Sequence, residues 1–229
     1  LMVFSFLFKP YIAVIGDIKD SKNLKNRMET QEKLKETLDN INQKYEQNIS
    51  SKFIITLGDE FQGLLCSGER TMELINEIER NMHPVKIRFG IGIGEITTEI
   101  DRNMAIGADG PGYYKARSAI NYLKQNEKRK ETDTADIRVE IEGDNQASET
   151  MINTILTLLS VIKGSWSDRQ REVIWDMLEH QDGQSNAADR LSVRQPTVQK
   201  TLAKGGYYAY KDALKIIDDA LGEVKRDGI

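Results

Sequence analysis

The chain is poor in the residues that close disulfides and bind soft metals. A single cysteine, Cys66, excludes an internal disulfide framework, and its apolar neighbours Leu64 and Leu65 read it as a buried structural thiol in a reducing compartment. The two histidines, His83 and His180, lie far apart with no second Cys or His at zinc spacing, so any metal has to be held by oxygen. Proline is scarce and no low-complexity tract or repeat is present, which excludes linker-rich and solenoid architectures. No apolar run is long enough to span a bilayer. The apolar opening from Met2 to Phe8 lacks a basic flank and runs into a further strand-like stretch, so it reads as a strand or an ordered arm, and the expected location is cytoplasmic, with no membrane partner. There is no basic excess either. The net charge of −4 falls in the first 150 residues while the rest is balanced, so no tail or patch announces nucleic acid.

What is present is patterned. Tyr11 to Gly16 is a continuous apolar run expected to be a strand buried on both faces, closed by Asp17. Met28, Leu34, Leu38, Ile41 and Tyr45 recur at helical spacing. Phe53–Leu57 and Gly63–Cys66 read as a hairpin around an acidic tip, Gly58 to Gln62. A second helix is expected from about Glu69 to Met82, stopped by His83-Pro84. Val85 to Gly94 alternates strictly, with Gly90, Gly92 and Gly94 on one face, which suits either close helix packing or approach of a ligand or partner chain. Pro111 is placed to open a helix through Tyr113 to Ile120, and Ile137–Ile141 alternates as a last strand. The order β-α-β-β-α-β-α-β contains the split βαβ of ferredoxin-like sheets, so the expected fold class is an α/β (α+β) ferredoxin-like palm domain, residues 1–144, followed by an all-α domain, residues 145–229.

In such a sheet the strand ending at Asp17 and the hairpin bearing Asp59 and Glu60 become neighbours, which gathers carboxylates suited to Mg²⁺ or Mn²⁺ and phosphoryl chemistry. Spacing alone equally allows Asp59 to be a turn residue and Asp17 or Asp20 a helix cap.

The stretch Asp17 to Leu24 after an apolar strand resembles the Asp-Ile-x-x-Ser/Phe-Thr motif of class III nucleotidyl cyclases. Leu57-Gly58-Asp59 resembles their hairpin Gly-Asp. The glycine strand from Ile87 to Glu95, and the helix ending in Ala116-Arg117, also look like cyclase motifs, all in order over about residues 11 to 124. Gly58 to Phe61 is similar to the hairpin of diguanylate cyclases, and the layout as a whole resembles the SatD family. The resemblance implies Asp17, the carbonyl of Ile18, Asp59 and Glu60 as metal-site residues, with Glu60 alternatively a general base. It implies Arg117 as a charge-stabilising catalytic residue, Mg²⁺ or Mn²⁺ as cofactor, and a nucleoside triphosphate or related nucleotide as ligand. Tyr113 stands where those cyclases place Asn, so the ribose donor is missing.

The C-terminal part is helical throughout. Met151–Ile162 is expected as a connecting or dimerising helix, and Ser167 caps a helix running to Leu178. Ala187–Val193 and Gln195–Leu202 read as two short helices joined by a tight turn, resembling a helix-turn-helix. Arg194, Gln195, Thr197, Gln199 and Lys200 are then the candidate DNA-binding residues, and duplex DNA and a homodimer the expected partners. An interaction module that no longer touches DNA is the alternative, favoured by the balanced charge of this half. Lys211–Val224 closes as an amphipathic helix.

Overall fold

The computed structural model describes residues 3–24, 26–105, 107–129 and 135–225. Met2, at the start of the apolar opening, and residues 130–134 of the charged stretch before the last strand lie outside the described residues. The elements are β1 (Tyr11–Ile18), α1 (Arg27–Lys44), β2 (Ile49–Leu57), β3 (Glu60–Leu65), α2 (Thr71–Met82), β4 (Ile87–Gly94), α3 (Pro111–Asn126), β5 (Ile137–Ile141), α4 (Gln146–Gly164), α5 (Asp168–His180), α6 (Gln184–Arg190), α7 (Gln195–Lys204) and α8 (Tyr207–Leu221). Among the described residues no helix is long and apolar enough to cross a membrane.

The five strands form one mixed sheet in the order β2-β3-β1-β4-β5. β1 is central and buried along its whole length, as its unbroken apolar run requires, and pairs antiparallel with both β3 and β4. β2 pairs antiparallel with β3, and β5 runs parallel to β4. Because side chains alternate across a strand, β1 feeds two cores. Ile12, Val14 and Ile18 join one cluster with Leu34, Leu38 and Ile41 of α1 and Met72, Ile75 and Ile78 of α2. Tyr11, Ala13 and Ile15 join another with Tyr113, Ala116 and Ile120 of α3.

The glycine face of β4 belongs to α3. A Cβ at Gly92 would lie 2.0 Å from the Gly112 carbonyl oxygen and 2.3 Å from the Ala116 nitrogen, and one at Gly90 would lie 2.3 Å from the Ala116 oxygen. Of the occupants the pattern allowed, the helix is the one present.

Both outer strands meet helix side chains along their edges. The Phe53 N–H of β2 donates to Asn42 Oδ1 of α1 (2.7 Å), and Asn42 Nδ2 donates to the Phe53 carbonyl (2.9 Å). On the far edge, Asn153 of α4 makes the same pair of bonds with Val139 of β5 (2.9 and 2.7 Å), and Glu149 accepts from the Ile141 N–H (2.8 Å).

In the C-terminal part, Ser167 and Gln170 form a reciprocal capping box at α5, and α7 buries Val198 and Leu202. Trp166 donates its indole N–H to the Gly205 carbonyl (2.7 Å). The hydrophobic cluster is continuous from α1, α2 and the sheet through Ile152 and Leu156 of α4 to Ile174, Val198, Leu202 and Ile217. Residues 3–8 form an arm without strand pairing, held where the Val3 N–H donates to Glu223 Oε2 (2.8 Å) and the Ser5 N–H to Asn145 Oδ1 (2.9 Å).

Several boundaries differ from the sequence expectation. Met28 is 75% exposed, because α1 has only just begun there and its first turn does not reach the sheet. α2 starts at Thr71 rather than Glu69, since Arg70 takes a left-handed conformation (φ 63°). α6 runs from Gln184 to Arg190 rather than Ala187 to Val193, with Ser192 left-handed (φ 52°) in the turn that follows. The hairpin tip is not five residues but the two-residue turn Gly58-Asp59, so Glu60 belongs to β3.

Candidate functional site

Alternation along the strands builds a row of charge on the face that α3 covers. Glu60 of β3 lies directly opposite Asp17 of β1, and Asp17 lies directly opposite Arg88 of β4. These three positions share the face of Ala13, Ile15, Gly90 and Gly92, beyond the end of its apolar patch. Asp17 is 4% exposed and Glu60 6%. Charges so buried need partners, and the chain supplies them.

Arg88 Nη1 donates to Asp17 Oδ2 (2.6 Å), and Lys124 Nζ of α3 donates to Asp17 Oδ1 (2.7 Å). Arg117, two turns earlier on the same helix, grips both oxygens of Glu60 in a bidentate pair, one bond being 2.6 Å. The row continues from Arg88 to Glu127 (3.0 Å), from Glu127 to Lys19 (2.6 Å), from Lys19 to Asp136 (2.6 Å) and from Asp136 to Lys163 (3.4 Å), which also holds Glu79 of α2. Burial pulls Arg88 toward its neutral form, but Glu127 and Asp17 more than offset this and its pKa is raised. Burial favours the neutral forms of Glu127 and Asp136, yet Arg88 and Lys19 hold the first, and Lys163 and Lys19 the second, below the ordinary carboxylate range. Lys163 is raised despite burial, because Glu79, Tyr210 and Asp136 surround it. Arg117 is raised chiefly by its bonds to Glu60.

Asp59 stands apart from this row. It sits in the turn, where Oδ2 accepts from Ser21 Oγ (2.5 Å) and its carbonyl accepts from the Ile18 N–H (2.9 Å). The structure thus brings Asp17, Glu60 and Arg117 together on one face and places Asp59 in the adjacent turn, bonded to Ile18 at the end of β1. Tyr113 is buried in the α3 core, its hydroxyl has no hydrogen-bond partner among the described residues, and burial raises its pKa.

As they are arranged, Asp17 and Glu60 do not offer the oxygens that the expected Mg²⁺ or Mn²⁺ would take. A divalent ion needs free carboxylate oxygens, and both oxygens of Asp17 and both of Glu60 already accept from cationic side chains. Among the described residues no three His, Cys, Asp or Glu side chains gather as a metal-holding group. The physical reason is α3: the glycines of β4 let it lie so close that its basic side chains reach the sheet.

Sequence reasoning missed Arg88, Lys124, Glu127, Lys19, Asp136 and Lys163. Two left a signal. Arg88 is the one charged residue in the Ile87–Gly94 strand, and Lys124 follows Arg117 by seven residues on one helical face.

In the C-terminal part, Arg194, Gln195, Thr197, Gln199 and Lys200 are all exposed while Val198 and Leu202 of the same helix are buried. Gln195 Nε2 also donates to Gln184 Oε1 of α6 (2.8 Å). Arg190 ties α6 to α5 by pairing with Asp176 (2.8 Å), and to the connection between the two helices by pairing with Asp182 (2.5 Å).

The family model of the SatD family matches residues 11–215. The chain belongs to the SatD family. No curated protein matches this SatD-family sequence. Solved structures resemble it at low identity. The dimeric guanylyl cyclase domain of the RhoGC fusion protein from the aquatic fungus Blastocladiella emersonii is 15% identical, over 63% of this chain and 85% of that one, with a TM-score of 0.38. The guanylyl cyclase Cya2 is 11% identical, over 61% and 78%, also at 0.38. A regulator of polyketide synthase expression from Bifidobacterium adolescentis is 13% identical, over 96% and 87%, at 0.30. At these scores none carries an argument about what the SatD-family chain does.

Proposed function

We propose that this SatD-family protein is a DNA-binding regulator. In this reading α6 and α7 form a helix-turn-helix, and the ferredoxin-like palm of residues 1–144 is a non-catalytic sensor or dimerisation domain for a nucleoside triphosphate or related nucleotide. The observation that supports the DNA reader most is the arrangement of α7. Arg194, Gln195, Thr197, Gln199 and Lys200 face solvent from its first turns, over a helix anchored by buried Val198 and Leu202. Arg and Gln match guanine and adenine edges, and Thr and Lys meet phosphates. A homodimer would present two such helices to paired half-sites. Support for a palm without catalysis is the full engagement of Asp17 and Glu60 by Arg88, Lys124 and Arg117.

Binding to duplex DNA, followed by fluorescence anisotropy across a salt series, tests the reading. Replacing Arg194, Gln195 and Lys200 together by Ala should weaken binding and lower the slope of log K against log salt by about two, since two cations are removed. Binding unchanged in that variant refutes the assignment.

A second reading, a nucleotidyl cyclase or transferase, is favoured by the direct pairing of Asp17 with Glu60 beside the Gly58-Asp59 turn, with Arg117 above them. Incubation with each nucleoside triphosphate and Mg²⁺ or Mn²⁺, followed by mass spectrometry, decides it: a cyclic or linked nucleotide establishes the enzyme.

A further inference from the structure

The charge along the acidic row closes on itself. The acids Glu60, Asp17, Glu127, Asp136 and Glu79 alternate with the bases Arg117, Lys124, Arg88, Lys19 and Lys163, each paired within the chain. A dication placed between Asp17 and Glu60 would add two charges to a set already neutral, and it would have to expel cations from the oxygens it needs. The carboxylates lie beneath, buried, while the Arg117 and Lys124 side chains are 42% and 41% exposed. The bases of α3 are therefore the lid of the site and the acids its floor.

We propose that Arg117 and Lys124 are built-in counter-cations that take the place of a divalent ion over Asp17 and Glu60, so that the row is complete without metal and closed to it. The proposal rests on the palm being non-catalytic in this arrangement, and it assigns the residues that close it. Three of the four oxygens depend on α3: Asp17 Oδ1 on Lys124, and both Glu60 oxygens on Arg117. Arg88 alone holds the fourth, and it comes from the sheet itself. Strand pairing fixes Asp17 and Glu60 as direct neighbours. Removing the two α3 cations therefore leaves two adjacent buried carboxylates with three oxygens free of any cation, Glu60 Oε1 keeping only a long bond from the Thr56 hydroxyl (3.4 Å), and this is the donor set that a hard cation takes.

Thermal melts of the full chain with and without Mn²⁺ test this. Wild type should show no Mn²⁺-dependent shift. The double variant Arg117→Met/Lys124→Met should melt lower than wild type in the absence of metal, because like charges now face each other unscreened. It should rise by about 5–10 °C at a hundredfold excess of Mn²⁺ over its Kd. Adding Asp17→Asn to that variant should abolish the rise, which locates the ion. Lys124→Gln alone, at a half-exposed position that folding tolerates, should give a smaller shift of the same sign. A Mn²⁺ shift in wild type as large as in the double variant overturns the proposal, and so does a flat response in both the double variant and Lys124→Gln. The separate question of catalysis is answered by the product assay with wild type, so failure of that reading and failure of this one are read from different data.

Discussion

Lys163 is the one cation that α4 pushes into the protein interior, and its removal gives the sharpest test of the ion-pair row. Its side chain is 8% exposed, between Glu79 (14%) and Asp136 (24%). Asp136 keeps Lys19 when Lys163 is lost, but among the described residues Glu79 Oε2 has no hydrogen-bond partner at all, and Lys163 is the cation bound to Oε1. Lys163→Met keeps most of the volume and strands Glu79 as a buried, unpaired charge. Breaking a buried pair from one side costs about 3–5 kcal/mol. For a chain of this size each kcal/mol moves the melting temperature by about 2–4 °C, so the variant should melt roughly 6–20 °C below wild type. The double variant Lys163→Met/Glu79→Leu should recover most of that loss, because an apolar pair in place of an ion pair is close to neutral. The loss should also depend on pH. In wild type Asp136 is held below its ordinary value, so its contribution is present at neutral pH and is lost as pH falls through the depressed pKa. In Lys163→Met, Asp136 loses that cation and takes up its proton at higher pH, so the gap between variant and wild type narrows on acidification. Circular dichroism melts at pH 7 and about pH 3 measure both effects. A single variant within about 2 °C of wild type, or a double variant no better than the single, refutes the assignment of Lys163 as the charge that holds Glu79.

Three further predictions follow from other positions. Asp17→Asn should lower stability by about 2–3 kcal/mol, less than a fully stranded pair, because Arg88 keeps Glu127 and the Lys124 pair is half-exposed; a higher melting temperature in metal-free buffer would refute it. Asp218 of α8 accepts from the Met72 N–H of α2 (2.7 Å), and burial pushes its pKa up to about 6. A group raised in the folded state stabilises as pH falls from that value toward the ordinary one, so wild type should gain stability between pH 7 and 5 by a margin that Asp218→Asn lacks, read from urea midpoints. Gly92→Ala should cost at least about 2 kcal/mol and loosen α3, since the new methyl meets backbone atoms of that helix; an unchanged urea midpoint would show that the helix moves freely.

Much of the fold was legible because its signals are local. The element order, the buried β1, the stop at His83-Pro84, the Pro111 start and the Ser167 cap all follow from runs and spacings of a few residues. Positions whose conformation depends on a left-handed residue, such as Arg70 before α2 and Ser192 after α6, were missed by a few residues because nothing in their side chains demands it. The site was half legible. That Asp17 and Glu60 would meet followed from strand logic, whereas the parity of Glu60 was hidden by the assumed length of the turn, since a one-residue change in a turn decides which way every later side chain points. The counter-cations were invisible for a different reason. Lys124 and Glu127 reach the row only because α3 lies on bare backbone, so their meaning is set by glycines some thirty residues away.

The two asparagine clamps on the sheet have a consequence for how copies of this chain associate. An outer strand recruits a neighbouring molecule by offering it unbonded N–H and carbonyl groups. At Phe53 and at Val139 both groups are already spent on Asn42 and Asn153, and the Ile141 N–H is spent on Glu149. Addition of a foreign strand at those positions would first have to displace a side chain of the protein's own helices, so the middle of each flank is guarded against edge-to-edge pairing by α1 and α4.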